Sequence, residues 1–242
     1  MQSSNSDSNT TRGFFVTTTA NLDVSRFEGV YAFCHDGWLG VLTLNIDSED
    51  RLEAHYDCMR FRRRFAGRGI VDPTDPKQLK VVLHRYNEAP RQVFNGYLSG
   101  KRDEFIAGLT WWRSVPFGFF ARKSPLRSFT RYRTPNDRLI RTDFFGLYTV
   151  WHQYGRATIE ITPRPRGLGA TYRNDVVGVG KITIQVGGEH DHELIFDLPS
   201  GNQSGQARGY FFTRPKNGAA GVVDWGSHKS GFYMIKYCSI DL

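Results

Sequence analysis

Apolar and β-branched residues recur along this chain in short runs every ten to fifteen residues, separated by turn clusters such as Asp47-Ser48-Glu49-Asp50, Asp72-Pro73, Asn87-Glu88-Ala89-Pro90 and Pro215-Lys216-Asn217-Gly218. No long stretch repeats with the 3.6-residue period of an amphipathic helix, so the pattern predicts strands and little helix. Where alternation is clear it assigns faces: from Phe105 to Trp112, Trp112 shares a side with Ile106, Gly108 and Thr110. In the similar run ending at Trp225, that side carries Ala219, Gly221 and Val223.

The two runs belong to a repeat. Aligned without gaps at an offset of 113, residues 94–123 and 207–236 share nine identities in thirty positions, namely Gly96/Gly209, Tyr97/Tyr210, Ala107/Ala220, Gly108/Gly221, Trp112/Trp225, Ser114/Ser227, Gly118/Gly231, Phe119/Phe232 and Lys123/Lys236. Ordinary composition gives about two. Upstream the echo continues: Gly29 and Tyr31 match Gly146 and Tyr148, "VLTLNI" matches "TIEITP", and "LKVVLHRY" takes the place of "HELIFDLP". Each half is therefore one folding unit, and an up-and-down antiparallel meander of about eight strands can close into a barrel. The expected organisation is a disordered Ser/Asn/Thr-rich tail (1–24), a first barrel (25–123), a Pro/Ser/Arg-rich linker (124–141) and a second barrel (142–242).

Composition sharpens this only in places. Aromatic residues make up 14% of the 242, in keeping with an all-β chain. Three cysteines, Cys34, Cys58 and Cys238, fit no zinc ribbon or disulfide framework, and no apolar run reaches the roughly 18 residues of a membrane span. The expectation is a reduced, soluble, cytoplasmic protein with no membrane association. The net charge of +8 attracts anions generally, whether nucleic acid, acidic lipid or a carboxylate ligand.

The order of motifs in each half, Gly-x-Tyr near the first strand, then Leu-x-Leu (Ile-x-Ile in the second half), then a tyrosine on the next strand, then Gly-Tyr, then a strand ending in Trp, resembles avidin and streptavidin, small eight-stranded barrels of the calycin group. The resemblance covers Gly29 to Trp112 and again Gly146 to Trp225, and implies a tandem pseudo-dimer. It implies that Tyr56 and Tyr172 keep the family tyrosine. The serine two places on becomes Cys58 and Asn174; the first-strand asparagine becomes approximately Phe33 and Val150, and the serine after it approximately Trp38 and Arg156. The aromatic before Gly-Tyr becomes Phe94 and Ala207. With several partners of a ureido ring replaced, high-affinity biotin binding is not expected, because each unpaired buried group costs roughly 1–3 kcal/mol.

Candidate chemistry gathers in the first repeat. Phe33, Trp38, Phe94 and Trp112 offer an aromatic wall, with Cys58 beside them. In "MRFRRRF" (59–65), counting from Tyr56 puts the even positions on the lumen face, so that Arg60 would meet an acidic group on a ligand. The plainer reading of the same strand is a solvated edge or an inter-barrel contact, and nucleic acid is not the expected partner. His35 and Asp36 in "CHDGW", with Tyr56, are the candidate general acid or base groups; His152 stands at the matching place in the second repeat. His190 and His192 lie two apart without an evident third ligand, so no metal is expected. Nucleotide-binding, serine-hydrolase and zinc-protease motifs are absent, and no cofactor is expected.

Two functions fit. One is a cofactor-independent cyclase or isomerase that folds a largely apolar or aromatic small molecule in a barrel lumen. The other is a non-catalytic carrier of such a molecule. Both place the site in the first barrel.

Overall fold

The computed structural model describes residues 22–59, 62–85, 88–123, 139–175, 178–200 and 203–237. Most of the expected tail and linker, residues 1–21 and 124–138, therefore lies outside the described residues.

In the first half a 3-10 turn (Val24–Phe27) leads into β1 (Gly29–His35), β2 (Trp38–Ile46), β3 (Leu52–Cys58), β4 (Arg63–Val71), β5 (Gln78–Arg85), β6 (Glu88–Ser99), β7 (Phe105–Trp112) and β8 (Val115–Arg122). Each strand pairs antiparallel with the next, and β8 returns to β1, closing the barrel. In the second half a 3-10 turn (Arg141–Phe144) precedes β9 (Gly146–His152), β10 (Gly155–Arg164), β11 (Gly167–Asn174), β12 (Gly178–Ile182), β13 (Ile184–Val186), β14 (Glu193–Ser200), β15 (Gln203–Phe211), β16 (Gly218–Asp224) and β17 (Lys229–Lys236). Here β17 pairs with β9, while β12 pairs only with β11 and β13 only with β14. Since Thr183 alone separates β12 from β13, one interrupted strand hands the ring from one neighbour to the other. The chain is thus all-β, with an eight-stranded closed barrel followed by a nearly closed one.

The ends of each barrel are built alike. Tyr31 donates its hydroxyl proton to the carbonyl of Phe27 at 2.7 Å, and Tyr148 does the same to Phe144 at 2.8 Å. Lys123 and Lys236, the last of the nine identities, lie over those tyrosine rings and donate to Arg26 and Asp143 carbonyls. One end of each barrel is therefore stoppered by its own 3-10 turn, with Phe27 and Phe144 buried beneath it. The other end, where β1, β3, β5 and β7 or their copies finish, is the mouth.

Several other identities are packing constraints. A side chain at Gly96 would strike Phe119, and one at Gly209 would strike Phe232, so each glycine admits the lumen phenylalanine of its own barrel. A Cβ at Gly118 would collide with the backbone of Ala220, and one at Gly231 with the backbone of Ala107. Because those four residues are two matched pairs, the barrels meet across a pseudo-two-fold axis, as in an isologous dimer. Phe120 and its counterpart Tyr233 stack on that axis, with ring centres 4.3 Å apart and planes within 10°. Phe105, Phe212, Ala107, Ala220 and Cys34 complete a third core between the barrels. The mouth of each barrel lies beside the closed end of the other. Asp36 in the β1–β2 turn accepts from the Thr213 amide at 2.7 Å, and His192 Nε2 donates to the Pro116 carbonyl at 2.8 Å.

Gly118→Leu, which must displace the facing backbone, is expected to lower stability by about 1–3 kcal/mol. Gly180→Ala, where nothing stands within 4 Å of an added Cβ, should stay within about 0.5 kcal/mol of the parent. Urea unfolding followed by tryptophan fluorescence measures both.

Candidate functional site

In the first lumen Phe33 sits at the centre of an edge-to-face cluster, 4.9 Å from Tyr56 and 5.1 Å from Phe94, with Phe119 at 5.9 Å. These are favoured geometries for aromatic pairs. The register explains the gathering: Phe33 faces Gly40 on β2, Gly40 faces Cys58 on β3, and Tyr56 faces Phe65 on β4. A Cβ at Gly40 would strike the Tyr56 ring, so this glycine gives the tyrosine its place. Above the cluster His35 lies 5.3 Å from the Phe94 ring, and the Tyr56 hydroxyl is 3.3 Å from His35 Nε2.

Burial keeps this polar pair neutral. It pushes the His35 imidazole down to about 3 and the Tyr56 phenol well above its ordinary range, with the Cys58 thiol adding to the latter. The second barrel repeats the arrangement: Tyr172 Oη is 3.3 Å from His152 Nε2, and burial lowers His152 to about 4 and raises Tyr172 to about 12. There the Tyr154 amide donates to His152 Nδ1, so the ring proton sits on Nε2 and is given to the phenol oxygen.

The mouths differ. Trp225 is 7% exposed and closes the second barrel: it packs edge-on against Tyr154 at 4.8 Å, stands 6.1 Å from the His152 ring, and donates its indole proton to Ser230 Oγ at 2.8 Å. It lies where a side chain at Gly205 would have to go. Beneath it His152 is only 1% exposed. At the matching places the first barrel has Gln92 for Gly205 and Phe117 for Ser230, which removes both the space and the acceptor. Accordingly Trp112 is 51% exposed, and His35 keeps part of its surface in contact with solvent although protein surrounds it.

Of the residues singled out from the sequence, Phe33, His35, Tyr56, Cys58 and Phe94 come together in the first lumen, and Trp38 packs at their edge. Trp112 has the expected parity but stands at the rim rather than in the wall, because β7 ends there. Asp36 departs from the expected acid–base group: the Asp36-Gly37 turn, with φ of 44° and 77°, aims its carboxylate at Thr213 of the second barrel. Arg60 lies outside the described residues. The face count across "MRFRRRF" fails because the strand begins only at Arg63 and a turn precedes it; Tyr56 pairs with Phe65, so Arg64 shares the outer face with Asp57 and binds it at 2.8 Å. The approximate match of Trp38 with Arg156 also shifts, since Trp38 pairs with His35 as Gly155 pairs with His152. His190 and His192 fall in the turn before β14, with His192 committed to Pro116 and stacked on Phe117.

No family model matches the chain, and no curated protein matches it. Among solved structures it is similar to a Bacteroides fragilis protein assigned provisionally to the outer membrane, at 10% identity and a TM-score of 0.26, over 87% of this chain and 96% of that one. A likeness at that level carries no argument. Among the described residues, no helix is long and apolar enough to cross a membrane.

The titrations give a pH prediction. Folding holds His35 and His152 below their ordinary 6.5, so the unfolded chain binds the extra protons: their contribution is complete above about pH 6.5 and is lost as pH falls towards 4. Asp36, raised to about 6 by burial despite its hydrogen bonds from Thr213 and the nearby Arg214, works in the opposite direction between about pH 6 and 4. His192, also lowered by burial, adds to the histidine side, and three groups outweigh one, so the thermal midpoint should fall from pH 7 to 4.5. His152→Gln, provided it folds at pH 7, should flatten that fall; an unchanged slope would assign it elsewhere.

Proposed function

We propose that the chain is a small-molecule-binding protein with avidin-like, calycin-type barrels, in which the first barrel takes a largely apolar or aromatic ligand and the second serves as its packed counterpart. The observation that carries this reading is the contrast between matched tryptophans, Trp225 closing its barrel and Trp112 standing out of its own. Phe33, Phe94 and Tyr56 supply the aromatic wall, and ring contacts there add roughly 0.5–1.5 kcal/mol per pair beyond burial. The Tyr56–His35 pair supplies one uncharged polar anchor for a carbonyl or hydroxyl.

The catalytic form of this reading, a cofactor-independent cyclase or isomerase, is favoured by the protonation of that pair. A phenol that stays protonated beside a neutral imidazole can polarise a carbonyl while the wall folds the substrate. It is less suited to full proton transfer, since a base held near 3 is weak at neutral pH.

Native mass spectrometry of the protein purified without organic solvent is expected to show a bound small molecule at up to one per chain. Gln92→Gly combined with Phe117→Ser restores the space and the acceptor that let the second tryptophan close; it should reduce occupancy at least tenfold, whereas Trp225→Ala should leave it unchanged. If Trp225→Ala abolishes binding in a folded protein, the site belongs to the second barrel. Tyr56→Phe separates the two forms of the proposal, because a carrier then loses affinity modestly while an enzyme loses turnover.

A further inference from the structure

The pseudo-two-fold axis makes two crevices between the barrels, and they have diverged. On one side the turn after β1 meets the hairpin before β16. Trp38 fills that crevice, Arg214 lies over its ring at 4.5 Å, Pro215 packs where a Cβ on Gly37 would go, and Asp36 supplies a carboxylate that binds Thr213 and faces Arg214 electrostatically. The crevice is full and carries its own counter-charge.

On the other side each of those positions has changed. Gly155 stands for Trp38, Lys101 for Arg214 and Gln153 for Asp36, as the strand register and the offset of 113 place them. Gln153 turns away to His228, so no carboxylate takes the place of Asp36. What remains is a cleft of about 270 Å³ lined by Lys101, Arg122, Arg156, Glu104, Trp151 and Tyr233, among others. Its wall is the Trp151 indole, stacked on Tyr233 at 4.7 Å and 9°. Arg122 and Arg156 lie over that indole at 5.6 and 5.9 Å, and Lys101 reaches within 3.2 Å of where a Gly155 side chain would begin. Tyr233 is 1% exposed, and its hydroxyl faces Arg122 without reaching normal hydrogen-bond geometry. Arg156 donates to the Tyr237 hydroxyl at 2.8 Å; among the described residues none of the three cations is in an ion pair.

The geometry points to this cleft as a binding site for a small oxyanion, a carboxylate or phosphate carried on a compact molecule. Three cations converge on a space with one acidic neighbour, Glu104, and guanidinium groups fit oxyanions with paired hydrogen bonds. The indole holds both guanidiniums against its ring, which fixes their donors beside the cleft. The volume excludes large ligands, being at the lower end for small-molecule sites. The site is separate from the first lumen and does not depend on it.

Calorimetric titration of the full chain at fixed ionic strength, with inorganic phosphate and with benzoate as probes, tests this. At least one of them should bind saturably with one site per chain, and the comparison tells which oxyanion is preferred. Lys101→Glu and Arg156→Gln, both at exposed residues, should each weaken binding at least tenfold, and Glu104→Gln should strengthen it several-fold. Lys80→Gln, an exposed control on the far strand β5, and Trp112→Ala should change nothing. The proposal is overturned if neither probe saturates, if Lys80→Gln weakens binding as much as Lys101→Glu, or if Glu104→Gln fails to strengthen it. Loss of binding in Trp112→Ala would also overturn it, by moving the anion to the lumen.

Discussion

The stack of Phe120 on Tyr233, with Gly118 against Ala220 and Gly231 against Ala107, is the contact on which the rest of the molecule depends. Two small barrels each bury a modest core, and the third core between them joins those into one body. Backbone can approach backbone this closely only where side chains are absent or a single methyl. Because the contact is two-fold, every residue near it acts twice, in two different surroundings. That doubling lets one copy of a feature diverge while its mate keeps the fold.

Divergence has taken a similar form in two places. At the mouths, the space left by Gly205 and the acceptor at Ser230 let Trp225 close the second barrel, while Gln92 and Phe117 keep Trp112 out of the first. In the inter-barrel crevices, Trp38, Arg214 and Asp36 satisfy one another, while Gly155, Lys101 and Gln153 leave a cationic cleft. In each case one copy closes on itself and the other stays open. The two open features lie in different barrels' territory, one at the first barrel's mouth and one beside the second barrel's mouth.

Much of the fold was legible in the sequence, because the offset of 113 preserved the residues that packing cannot exchange: Gly96, Gly108 and Phe119 inside the barrel, Ala107 and Gly118 at the axis, Lys123 over the 3-10 turn. The aromatic cluster of Phe33, Tyr56 and Phe94 was legible as well, since period-2 parity survives within a strand. Parity did not carry from β3, which ends at Cys58, to β4, which begins at Arg63, so Arg64 faces outward with Asp57. Nor could parity place Asp36, whose carboxylate is aimed by a turn and met by a residue 177 positions away. The exposure of Trp112 has its own mark in the sequence: the glycine and serine that seat its twin are replaced by Gln92 and Phe117 in its own repeat.

The Tyr–His pair shows how a repeat bears on function. Taken alone, Tyr56 beside His35, both held neutral by burial, invites a catalytic reading. The same pair stands at the same 3.3 Å in the second barrel, beneath a tryptophan that shuts it from solvent. A hydrogen bond kept in a closed lumen is first a way of satisfying two buried polar groups, which would otherwise cost roughly 1–3 kcal/mol apiece. The pair is therefore first a part of how each barrel is built, and any chemistry in the first barrel uses a bond that the fold already makes. What separates the copies is access, since only in the first barrel does the imidazole keep contact with solvent. Any ligand or reaction at this pair is consequently selected by the mouth, through Gln92, Phe117 and Trp112, before Tyr56 and His35 come into play.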